Sequence, residues 1–141
     1  MAAARDLGLV DDLRARIAAV ENVRRTRAVL PFEVPALDAH LPGGGLALGA
    51  LHEIAVSGTA VEHTAVACLF TAGIFARLDG PVLWCLRSRD LFAPALAGIG
   101  LHPDRILFAE TWSDRDVLPT MEEGLRYAGL AGVVGEVSRL S

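Results

Sequence analysis

Four strand-length apolar runs separated by helix-length segments constrain this chain more than any other feature. Leu51–Val56, Pro81–Leu86, Arg105–Ala109 and Leu130–Val137 read as strands, and between them lie Thr59–Leu78, Leu91–Gly98 and Val117–Tyr127 with helical character. Strands that are apolar on both faces must be covered on both faces, and helix-length connections join parallel neighbours. The pattern therefore predicts an α/β fold with a mostly parallel sheet flanked by helices. Asp90 and Asp116 are expected to cap the second and third helices, which leaves Pro94 and Pro119 in first turns where a missing N–H costs nothing. Thr59–Leu78 has few polar positions, so it is expected to be buried between the sheet and other elements.

At 141 residues with 52% hydrophobic content and a mean hydropathy of +0.42, the chain can bury a substantial core. The same figures suit a sheet covered on both sides or a surface that awaits a partner. A net charge of −4 lacks the basic balance of an autonomous DNA binder. All 13 basic residues are arginine, so lysine chemistry is excluded, including the phosphate-binding lysine of a P-loop and any Schiff base. Cys68 and Cys85 stand alone, without metal-ligand spacing, and read as small buried hydrophobes; no metal or cofactor is expected. Arg5, Asp6, Asp11 and Asp12 interrupt any secretory h-region, and no run reaches the ~18 apolar residues of a membrane span. A cytoplasmic location is expected.

The chain opens with an amphipathic helix over Leu9–Asn22. Val10, Leu13, Ile17 and Val20 form a narrow apolar stripe, with Asp11 and Asp12 at the start and Arg24 and Arg25 after the end. The stripe either docks on a neighbouring subunit or folds back on its own domain. Residues 1–28 thus read as an arm and 29–141 as an α/β core. Leu30–Leu46 is a loop-rich connector with a helical turn near Ala36–His40, and its Gly43-Gly44-Gly45 precedes a strand where a phosphate cradle would follow one. The chain stops at Ser141, directly after the fourth strand, where a doubly wound domain would continue, which suggests a fragment.

The junction Gly49–Thr64, GALHEIAVSGTAVEHT, runs from strand through a Ser-Gly-Thr loop into a helix. In nucleotide-binding domains such a junction aims backbone N–H groups at a phosphate, with a lysine beside them. The order of features resembles the core of the RecA superfamily, a P-loop-type fold, and most closely the ImuA family. The matching stretches are LDAHLPGGGLALGALHEIA (Leu37–Ala55), GPVLWCLRSRDLFAPALAGIGLHPDRILFAE (Gly80–Glu110) and MEEGLRYAGLAGVVGEVSRLS (Met121–Ser141). The resemblance implies a nucleotide loop at Ser57, Gly58, Thr59, Val61, Glu62, His63 and Thr64. There the last loop glycine is Val61, the lysine is Glu62 and the threonine is His63, with Thr64 next. It places the water-polarising glutamate at about Ser88 and the magnesium-linked aspartate at Glu136.

Glu62 and Glu136 would face the triphosphate with no lysine to offset them. Like charges ~4 Å apart in a partly desolvated cleft repel by several kcal/mol. Arg87 or Arg89 offers the alternative source of positive charge. No catalytic residue is therefore assigned. The resemblance implies a non-catalytic accessory protein of SOS-induced, error-prone translesion synthesis that contacts ImuB, RecA and the error-prone polymerase. It further implies self-association through the N-terminal helix and at most weak or indirect DNA contact, for which Arg24, Arg25 and Arg27 are the candidates. The alternatives are a SulA-like inhibitor of cell division that binds FtsZ, and an NTPase that needs a C-terminal half.

Overall fold

A computed structural model describes residues 12–17, 28–57, 60–88 and 90–138, the side chains of residues 60–62 excepted. The chain divides into two units, Met1–Glu53 and Ile54–Ser141. In the first, residues 12–17 are helical (α1), and Arg16 Nε meets Asp12 one turn earlier at 3.0 Å. Leu13 and Ile17 of the apolar stripe are exposed. Val10, Val20, Arg24 and Arg25, the rest of the expected interface, lie outside the described residues. Val29–Leu30 (β1) and Leu46–Ala47 (β2) pair antiparallel, and Pro35–Asp38 (α2) lies between them in sequence. The Asp38 carboxylate accepts the Phe32 N–H at 2.8 Å. Gly43 and Gly44 take φ of 77° and 78°, and a Cβ on Gly45 would come within 2.6 Å of the Leu30 carbonyl oxygen. The triple glycine is thus a turn that lets two backbone segments meet.

The second unit holds Ala60–Ala76 (α3), Val82–Leu86 (β3), Ala93–Gly98 (α4), Ile106–Glu110 (β4), Asp114–Leu125 (α5) and Gly132–Gly135 (β5). Its three strands are parallel in the order β4-β3-β5, with Trp84 level with Phe108 on one side and Val134 on the other. Alternation sends Val82, Trp84 and Leu86 to one face. There they form the core with Cys68 and Ala72 of α3, Leu96 of α4, Leu101 and Ile106. The opposite face receives α5. A Cβ on Gly135 would fall 2.1 Å from Met121 Sδ and 2.9 Å from Val117 Cγ1, so α5 sits directly on the β5 backbone. Arg105 closes the far end of α3. Its guanidinium donates to the carbonyls of Phe75 (3.2 Å), Leu78 and Gly80 (2.9 Å), at and just beyond the helix end; the Phe75 oxygen also accepts the Leu78 N–H at 3.2 Å.

The α/β class and the parallel sheet match the expectation, and four particulars do not. The second helix starts at Ala93 with Phe92 in the cap position, so Asp90 stands too far ahead of it to cap it. Residues 51–57 form no strand and are exposed, with Leu51 88% exposed. Apolar character favours a strand only where a neighbour accepts its N–H and C=O groups, and this segment has no ladder partner among the described residues. The helix α3 is apolar around its circumference but only partly covered. Cys68 and Ala72 are buried, whereas Val66 is 63% exposed and Leu69 and Phe70 also face outward. The third helix starts at Asp114 after Ser113, so Pro119 lies inside it. The Ser113 hydroxyl donates to the Asp116 carboxylate at 2.8 Å, and Thr120 Oγ1 donates to the Asp116 carbonyl at 2.7 Å. Asp116 is thus a first-turn partner of the cap residue and not the cap itself.

Candidate functional site at the carboxyl edge of the sheet

The connection through α4 carries the chain from β3 to β4, and the one through α5 carries it back past β3 to β5, so the carboxyl ends of β3 and β5 mark a switch point. Open α/β sheets hold their ligands in such crevices. Leu86, Arg87 and Ser88 reach this edge from β3, and Glu136 reaches it from β5. The Glu136 N–H continues the ladder by donating to the Cys85 carbonyl at 2.9 Å. Glu136 is two residues beyond Val134, which is level with Trp84, so its carboxylate shares the Trp84 face.

That carboxylate is turned inward. Its Oε1 accepts the indole N–H of Trp84 at 2.6 Å and the thiol of Cys68 at 3.7 Å. Trp84 is fully buried, and a buried indole needs one acceptor for its N–H; Glu136 supplies it. Burial raises the Glu136 carboxyl above its ordinary range, the Trp84 hydrogen bond opposes this, the Asp90 charge adds to it, and the Cys68 bond opposes it. Burial together with the Glu136 charge pushes the Cys68 thiol up to about 12, and burial raises Cys85 as well. Burial thus disfavours the thiolate form of both.

The predicted nucleotide-loop residues are placed as follows. Ser57 is exposed at the end of the unpaired segment, and Val61, Glu62, His63 and Thr64 take helical backbone in the first turns of α3. His63 is half-buried and Thr64 exposed. Gly58 and Thr59, and the side chains of Val61 and Glu62, lie outside the described residues. Ser88 is exposed beyond β3. Arg87 Nη1 lies 3.4 Å from Asp114 Oδ1, and Ser138 Oγ donates to the second oxygen of that carboxylate. Among the described residues, the cation nearest to the end of β3 therefore stands beside an acid; Arg89, the other cation expected there, lies outside the described residues.

Residues beyond the prediction complete the edge. Cys68 reads from the sequence as a small buried hydrophobe, and Trp84 as one apolar residue of a strand; the signal for more is a polar glutamate ending an otherwise apolar strand. On the α4 side a cavity of about 200 Å³ opens between Leu86, Leu91, Ala93 and Phe108. Phe92, between Leu91 and Ala93 in the chain, is 69% exposed, and Trp112, two residues beyond β4, is 95% exposed. No helix among the described residues is long and apolar enough to cross a membrane.

Comparison with known proteins adds an independent line. The chain is 35% identical over 119 residues to the protein named ImuA in each of two strains of Caulobacter vibrioides, an alignment that takes in 82% of this chain. Over this stretch the chain belongs to the ImuA family. It spans about half the length of those relatives, 49% in both cases. No family model matches, and no solved structure matches.

Proposed function

We propose that this ImuA-family chain is a non-catalytic accessory module with a RecA-like core, serving damage-induced, error-prone DNA synthesis through contacts with proteins, with ImuB, RecA and the error-prone polymerase as the partners. The observation that carries the reading is the Trp84–Glu136 hydrogen bond. At the position where the resemblance places a magnesium-linked acid, the carboxylate is held by a neutral indole inside the core. The lysine-free sequence supports the same reading, since a triphosphate at this edge would meet Glu136, Asp114 and Asp90 with Arg87 already beside Asp114. Membership of the ImuA family supports the mutagenesis setting. The reading assigns the function to outer surfaces.

Titration calorimetry of magnesium-ATP into this chain, and into the protein at the length of its relatives, tests the catalytic half of the reading. No heat is expected. Saturable binding tighter than ~100 μM, about −5.5 kcal/mol, that is lost in Glu136→Gln would overturn it. Co-purification with ImuB and RecA tests the other half, and the absence of both from complexes of the longer protein would refute the partner assignment.

A further inference from the structure

We draw no further inference here: the strongest candidate, the outer edge of β4 with the exposed Leu107 and Phe108, is an apolar sheet edge for which nothing in the structure shows what covers it.

Discussion

The Trp84–Glu136 contact can be tested by a double-mutant cycle with Trp84→Phe and Glu136→Gln. Trp84→Phe keeps an aromatic ring at the centre of β3 but removes the donor that Oε1 accepts at 2.6 Å. A hydrogen bond to a charged group contributes about 1.5–3 kcal/mol, and the unfilled volume at a fully buried site adds about 1 kcal/mol, so the variant should lose roughly 2.5–4 kcal/mol. In the Glu136→Gln background the acceptor is neutral and its bond is worth about 1 kcal/mol, so the same substitution should cost only about 2 kcal/mol. The coupling, roughly 0.5–2 kcal/mol, compares with a scatter of about 0.3–0.5 kcal/mol within which independent sites add. Urea unfolding followed by far-ultraviolet circular dichroism at pH 7.5 measures it without relying on the mutated chromophore. Additivity within that scatter would mean that Glu136 does not hold Trp84 in solution and is free to face a ligand, which refutes the silent-site argument.

Three further outcomes follow from other contacts. Burial raises the Glu136 carboxyl in the folded state, so its favourable contribution is fully present below its ordinary value and is lost as pH rises through the raised one. Glu136→Gln should therefore gain on wild type in unfolding free energy between pH 5 and pH 7.5, and a constant or shrinking difference would contradict this. Arg105→Gln, which leaves the carbonyls of Phe75 in α3 and Leu78 just beyond it without the guanidinium fork, should cost about 1–3 kcal/mol in denaturant titration. Arg105→Lys should recover only part of that, because an ammonium cannot reproduce the fork; full recovery would point to charge alone. Gly135→Ala should cost about 1–3 kcal/mol in unfolding free energy, since its Cβ meets Met121 and the stiff Val117 branch, and Met121→Ala in the same chain should restore part of it.

What could be read from the chain alone was set by local pattern. Val82–Leu86 and Ile106–Glu110 are short apolar runs bounded by Gly, Pro or polar residues, and each is a strand within a residue of where the periodicity puts it. Leu51–Val56 has the same character, but strand formation depends on a partner edge that a single run does not reveal. The start of α5 was misread by three residues because Ser113 and Asp116 are both good cap residues, and their mutual hydrogen bond decides between them. The candidate site was legible as a position: Glu136 was singled out at the end of β5. Its orientation was not, because the groups that turn it inward, Trp84 and Cys68, are 52 and 68 residues away in sequence and meet it only through sheet and helix packing. The exposed face of α3 escaped notice for a related reason. A helix that is apolar all round does not say which side its neighbours cover.

The chain has two tryptophans, and they sit in opposite surroundings. Trp84 is sealed in the core with its N–H on a carboxylate, and Trp112 is 95% exposed two residues beyond the end of β4. Their emission therefore separates into a short-wavelength component that reports on the interior of the sheet and a long-wavelength one, open to iodide quenching, that reports on its edge. Any molecule that reaches the carboxyl end declares by its colour whether it has entered the fold or settled on its rim.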